Sequence, residues 1–489
     1  MSEQACLSPL PIVLNGQFVE SKTSQFLDLI NPHTGKTKGK VPCSTQEELD
    51  AMVDSARKAQ KEWANIPVKD RVQVFFKMKQ LMEEREKDLA EVIHQENGKT
   101  MAEAKGSILR AIECVEFAAS LPQMISGPVL EVSRGVECKM FRYPLGVVAG
   151  ITPFNFPLMV PLWMVPLALA CGNAFILKPS ELTPLSALEI AKILKEAGLP
   201  DGLFSVIHGS KEMVEFICDH PDIKAVGFVG STKVAKIVYA RASAAGKRVR
   251  ALGGAKNHLV VVPDADPEMT ASNVVASVTG CTGQRCMAAS VLIAVGEVDH
   301  ILEKIREKMA SLVPGRDIGP LISKAAKERI ESYLENAEKE GAKLVLDGRK
   351  AKVEGAEGGY YLGASIIDYA QPNHRAACDE IFGPVLTVIR CKTLDQAIEI
   401  ENSNPYGNAA AVYTGSGQVA QYFAQQASAG MIGINIGVPV PREPFPFGGW
   451  NDSRFGDGDI TGPGAIDFWT QTKKITTKWS DQFRSNWMS

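Results

Sequence analysis

Residues 143–177 carry no charged side chain, and this run constrains the fold more than any other feature of the 489-residue chain. It is long enough to span a bilayer. Pro144, Pro153, Pro157, Pro161 and Pro166 interrupt it, together with Gly146, Gly150, Asn155 and Gly172. A lipid-facing helix built on it would leave backbone groups without partners. The run reads instead as a buried strand, a loop and a buried helix, so no membrane span is expected.

What flanks the run sets the fold class. Strands are expected at 147–151, 174–177, 204–207 and 225–229, with helices at 185–197 and 231–245. That alternation predicts an α/β protein with a parallel, doubly wound sheet, whose ligands sit at the carboxyl ends of the strands. A second strand/helix alternation runs over 259–434. Before the run, Thr45 with Glu48 predicts a capped helix start, and amphipathic helices are expected over 46–63 and 69–95, the second broken at Asn97-Gly98. The Pro/Gly-rich segment 439–464 reads as a long connection and the tail 470–479 as a strand.

Net charge is −3, which implies no basic face for nucleic acid. Ten cysteines show no C-x-x-C or zinc-ligand spacing, so reduced thiols in a reducing compartment and no metal site are expected. Residues 1–17 lack a basic start followed by an apolar core, so no signal peptide is expected.

Five segments carry candidate chemistry. In Gly283-Gln284-Arg285-Cys286-Met287 a cysteine stands beside a positive charge; a buried structural thiol is the alternative. In Pro153-Phe154-Asn155-Phe156-Pro157 an asparagine is held rigidly after a strand, where its amide suits an oxyanion or merely closes a turn. Lys178-Pro179-Ser180-Glu181 ends another strand and suits a ribose or a solvated ion pair. Gly227-Phe228-Val229-Gly230-Ser231-Thr232 opens a helix whose N–H groups suit a phosphate, without matching G-x-G-x-x-G. Glu380-Ile381-Phe382-Gly383-Pro384 offers a carboxylate and an aromatic ring before a turn.

In this order the five segments resemble the aldehyde dehydrogenase superfamily, along nearly the whole chain from Asn15-Gly16 to Pro446-Phe447-Gly448-Gly449. The resemblance implies an NAD-dependent enzyme with Cys286 as nucleophile and Asn155 as oxyanion donor. It implies that Lys178, Ser180 and Glu181 meet the adenosine ribose, and that Gly230 and Ser231 meet the pyrophosphate. Glu380 would hold the nicotinamide ribose beside Phe382, with Thr152, Phe154 and Gly253 lining the cofactor cleft. It further implies a cofactor domain from 1–120 and 142–252, a catalytic domain over 253–440, an oligomerisation region from 121–141 and 465–489, and a homodimer or homotetramer.

Two departures matter. Ala235 replaces a usual glycine. Ala251, in Ala251-Leu252-Gly253-Gly254, stands where most members carry the glutamate that activates hydrolytic water, and no Asp or Glu occurs from 223 through 263. The run 254–258 (Gly-Ala-Lys-Asn-His), the Cys286 segment and Thr476-Thr477-Lys478-Trp479 are similar to the methylmalonate-semialdehyde dehydrogenase branch, while 450–456 differs from it. That branch transfers its acyl group to coenzyme A with decarboxylation and fixes a substrate carboxylate with two arginines, which match Arg110 and Arg285. The expected function is therefore acylating oxidation of a short carboxylated semialdehyde, in the cytoplasm or a mitochondrial matrix; the alternative is hydrolytic oxidation to a free acid.

Overall fold

The computed structural model describes residues 8–479. Residues 1–7 and 480–489 lie outside it, and with them the first part of the N-terminal reading and the last part of the expected 465–489 segment.

The charge-free run resolves into strand Val147–Ile151, a loop, helix Met159–Ala170 and strand Ala174–Lys178. All residues of both strands are buried, and the helix is buried on every side from Val160 to Ala170. A helix apolar all round belongs in a core. Among the described residues no helix is long and apolar enough to cross a membrane.

Those strands centre an eight-stranded sheet. Its parallel core has the spatial order Phe204–Val206, Ala174–Lys178, Val147–Ile151, Ile223–Val229, Arg248–Leu252. The chain order therefore reverses between Val147–Ile151 and Ile223–Val229, and a crevice opens at their carboxyl ends. A second sheet of seven strands has a parallel core, from Ser365–Asp368 through Val385–Cys391, Ala289–Val295, Asn257–Val261 and Ala409–Tyr413 to Met431–Ile434. A third, antiparallel sheet joins Val129–Ser133, Val136–Pro144 and Thr470–Lys478. Its strand Val136–Pro144 runs past residue 141.

Two readings of the sequence change. The stretch 69–95 is three helices, Val68–Arg71, Gln73–Glu84 and Glu86–Asn97, and the last two part where the backbone leaves helical geometry at Arg85 (φ −108°, ψ 18°). The segment 439–464 is more than a connection. It contributes Arg454–Phe455, which pairs antiparallel with Arg248–Leu252 and sets Phe455 opposite Ala251. The Thr45–Glu48 capping box forms as its spacing predicts: Glu48 accepts from the Thr45 N–H at 2.8 Å and donates its own N–H to Thr45 Oγ1 at 3.3 Å.

Candidate active site

Three loops and one carboxylate meet at the crevice. The first loop follows Ile151. The Thr152 N–H donates to the Lys178 carbonyl at 3.1 Å, tying the loop to the neighbouring strand end. The Phe154 carbonyl accepts from Thr183 Oγ1 at 3.3 Å, and Asn155 is buried beside the crevice. The second loop follows Val229. Gly230 donates to the Leu252 carbonyl at 3.1 Å, and a Cβ there would lie 2.6 Å from the Phe228 ring, which any side chain at this position would have to displace. Ser231 precedes helix Thr232–Ala244 without a side-chain cap, leaving first-turn N–H groups for an anion.

The third loop carries Cys286. Cys281 (φ 52°) and Thr282 (φ 57°) are both left-handed, which costs free energy and persists only when neighbours over-determine it. Thr282 Oγ1 donates to the Gly319 carbonyl at 3.0 Å, and Gln284 Oε1 accepts from the Ile322 N–H at 3.0 Å. The Cys286 carbonyl accepts twice, from Asn257 Nδ2 at 2.7 Å and Asn408 Nδ2 at 2.9 Å. Glu380 completes the site: its Oε1 accepts from the Ala255 N–H at 3.0 Å. Phe382, at φ 56°, sets its ring edge-on to Phe154 with centroids 5.8 Å apart.

Phe154, Asn155, Gly230 and Ser231 share one cleft of about 350 Å³ with Gly253, Cys286, Glu380 and Phe382. Thr152, Lys178, Ser180 and Glu181 do not line it. Thr152 starts the first loop, and the other three sit at and after the end of the adjacent strand, where Lys178 Nζ lies 3.1 Å from Glu181 Oε2 and Ser180 Oγ accepts from the Leu182 N–H at 3.2 Å. Neither arginine lines it either. Arg110, on helix Met101–Ala119, pairs with Glu113 and donates to the Pro441 carbonyl at 2.9 Å. Arg285 turns back to the Ala276 and Ser277 carbonyls at 2.6 and 2.7 Å, while its Nε is buried without a partner.

Electrostatics disfavour the thiolate form of the resting Cys286. Burial, then the Glu380 carboxylate, pushes the Cys286 pKa up to about 12, against weaker pulls from nearby backbone N–H groups and Arg285. Burial also pushes Glu380 up to about 7 and the unpartnered Lys256 ammonium down to about 7. Lys256, Asn408 and Arg329, the last of which lines the cleft, escaped sequence reasoning. Asn257 and Lys256 stood inside the quoted 254–258 run, whereas Asn408 had no local signal. Among the described residues no group of three or more His, Cys, Asp or Glu is arranged to hold a metal ion.

The sequence profile of the aldehyde dehydrogenase family matches residues 18–475. The chain belongs to that family. This aldehyde dehydrogenase is 46% identical over 475 residues to malonate-semialdehyde dehydrogenase 2 of Geobacillus kaustophilus, covering 95% of this chain and 98% of the relative. It is 44% identical over 478 residues to the human mitochondrial methylmalonate-semialdehyde/malonate-semialdehyde dehydrogenase [acylating], covering 96% and 89%. Among solved structures, a Sinorhizobium meliloti 1021 protein assigned as a methylmalonate-semialdehyde dehydrogenase and complexed with NAD superposes with a TM-score of 0.97 at 40% identity, covering 98% and 99%. The α/β class expected from the strand/helix alternation is the fold of these relatives.

Proposed function

We propose that the chain oxidises a short carboxylated semialdehyde, of the malonate or methylmalonate type, through a thioester on Cys286, with NAD as oxidant and coenzyme A as acyl acceptor. One observation carries the choice of acceptor. The position expected to hold a water-activating glutamate is Ala251, fully buried on strand Arg248–Leu252. The names of the relatives, one of them printed as acylating, agree with that reading.

The cleft suits NAD. A helix N-terminus without a side-chain cap, at Ser231, faces the same space as the Glu380 carboxylate, and Lys178, Ser180 and Glu181 stand two strands away across Val147–Ile151. In this assignment Gly230 and Ser231 hold the pyrophosphate. Lys178, Ser180 and Glu181 hold the adenosine ribose, Glu380 the nicotinamide ribose, and Thr152, Phe154, Gly253 and Phe382 shape the walls. Bound NAD supplies the hydride acceptor.

Cys286 acts as thiolate on the aldehyde carbon. The oxygen that gains the electron pair meets the Asn155 amide and the Cys286 N–H. Loss of hydride from that adduct leaves the thioester, which the thiol of coenzyme A cleaves, returning Cys286. The carboxylate leaves as CO₂, its C–C bond electrons passing to the carbon beside the thioester, which is then protonated. Arg110 and Arg285 are assigned to the substrate carboxylate, which requires both guanidinium groups to turn into the cleft from the protein acceptors that hold them here. Arg110→Leu is expected to raise KM for a carboxylated aldehyde about 10- to 100-fold more than for propanal, the worth of a charged hydrogen bond; an unchanged ratio removes Arg110 from the site.

A second reading is hydrolysis with Glu380 as base. It is favoured by Glu380 lining the Cys286 cleft with a pKa pushed up to about 7. Turnover with and without coenzyme A separates the two. We also assign a homodimer or homotetramer, formed through the third sheet, where Val129, Leu130 and Val132 are exposed, and a cytoplasmic or mitochondrial-matrix location.

A further inference from the structure

The two groups that would hold the developing oxyanion come from different sheets. Asn155 follows strand Val147–Ile151 of the first, and Cys286 precedes strand Ala289–Val295 of the second. Their spacing needs a fixed link, and the segment 97–103 supplies contacts to both loops.

Lys99 is buried, at 2% exposure. Its Nζ donates to the Asn155 carbonyl and, at 3.0 Å, to Asn97 Oδ1. Asn97 Nδ2 in turn donates to the Phe154 carbonyl at 2.8 Å. The same ammonium stands 4.2 Å from the centre of the Phe156 ring. Three consecutive residues of the Asn155 loop are thus gripped from one place. On the other side, the ammonium interacts with the Cys281 thiol, and the Cys281 N–H donates to Glu103 Oε1 at 2.5 Å. Glu103 Oε2 is itself fixed by the Thr100 N–H at 2.9 Å and hydroxyl at 3.0 Å. Neither Lys99 nor Glu103 lines the Cys286 cleft.

We propose that Lys99 and Glu103 are positioning residues, a clamp that holds the Asn155 loop and the Cys286 loop at the separation the oxyanion requires. This rests on the reading of Asn155 as oxyanion donor and Cys286 as nucleophile. A buried lysine that only fills space would give a different result from a clamp, because the clamp acts through Asn155.

The test is a double-mutant cycle in the full chain, read as the rate of the first NADH turnover at saturating semialdehyde. Lys99→Met keeps the length of the side chain and removes its donors. It is expected to slow that turnover about 10- to 100-fold, since misplacement by about 1 Å can cost 10²-fold, with NAD affinity by fluorescence titration within about 2-fold of the native value. In the Asn155→Ala background, Lys99→Met should slow the reaction no further. An unchanged first turnover in Lys99→Met, or losses that multiply in the double variant, overturns the clamp. If Lys99→Met does not fold, Glu103→Ala enters the same cycle, with a smaller loss that is likewise absent from the Asn155→Ala background; multiplying losses again overturn it. Asn155→Ala at full native rate sinks the underlying reading of the site, an outcome distinct from a slow Asn155→Ala with an unaffected Lys99→Met.

Discussion

Gly254→Ala tests how Glu380 is held. A Cβ at Gly254 would lie 2.3 Å from Glu380 Oε2, 3.0 Å from Cδ and 3.3 Å from Oε1. Ordinary carbon–oxygen contact begins near ~3.4 Å, so the carboxylate must retreat by about 1 Å. The Ala255 N–H bond to Oε1, now 3.0 Å, does not survive that shift. A hydrogen bond to a charged group contributes about 1.5–3 kcal/mol, and a carboxylate pushed off its anchor loses its place for the nicotinamide ribose. NAD affinity should fall about 10- to 100-fold. The fold should survive, because the displaced atoms end a flexible side chain and Gly254 is not left-handed. Fluorescence titration with NAD, alongside a thermal melt, measures both. Native NAD affinity in a folded Gly254→Ala protein would refute Glu380 as a cofactor ligand in this position.

Glu380→Gln removes the second cause of the raised Cys286 pKa. It should increase the thiolate fraction and speed iodoacetamide labelling of Cys286 at pH 7.5 by about 10-fold, one pKa unit being about 1.4 kcal/mol; an unchanged labelling rate contradicts the assignment. In the native protein that labelling should keep rising with pH through 9, because the thiol titrates at about 12. Glu96 anchors the start of helix Leu185–Glu196 by accepting from the Leu185 and Ser186 N–H groups at 2.7 and 3.0 Å, and burial pushes its pKa from 4.5 up to about 7. The folded state therefore favours the protonated carboxyl, a contribution present below pH 4.5 and lost as pH rises through about 7. Urea unfolding at pH 5 and pH 8 should show the stability gap between Glu96→Gln and native protein moving towards the variant by up to about 3 kcal/mol; a constant gap speaks against it.

Local patterns in the sequence account for much of the frame. The buried strands around 143–177 are apolar on both faces, Thr45 and Glu48 cap each other within one turn, and Gly98 ends its helix in a left-handed conformation (φ 91°). The site was less legible because its supports join distant segments. Asn408 reaches the Cys286 carbonyl, Glu103 reaches Cys281, and Arg454–Phe455 pairs beside Ala251; no period or spacing announces such meetings. Side-chain direction was also hidden. The resemblance put Arg110 and Arg285 at a substrate carboxylate, yet both guanidinium groups are held by protein acceptors outside the cleft. The helix break at Arg85 went unseen because the charge pattern of 69–95 runs through it without a proline or glycine.

The central claim is that the Cys286 thioester waits for a thiol. Rapid mixing of enzyme, NAD and malonate semialdehyde, followed by NADH absorbance with and without coenzyme A, tests it most directly. Without coenzyme A, one fast NADH equivalent per subunit should be followed by slow turnover, since a missing general base typically costs ~10²–10⁴ in rate; with coenzyme A, turnover should be sustained. Equal steady-state rates under the two conditions would contradict the account.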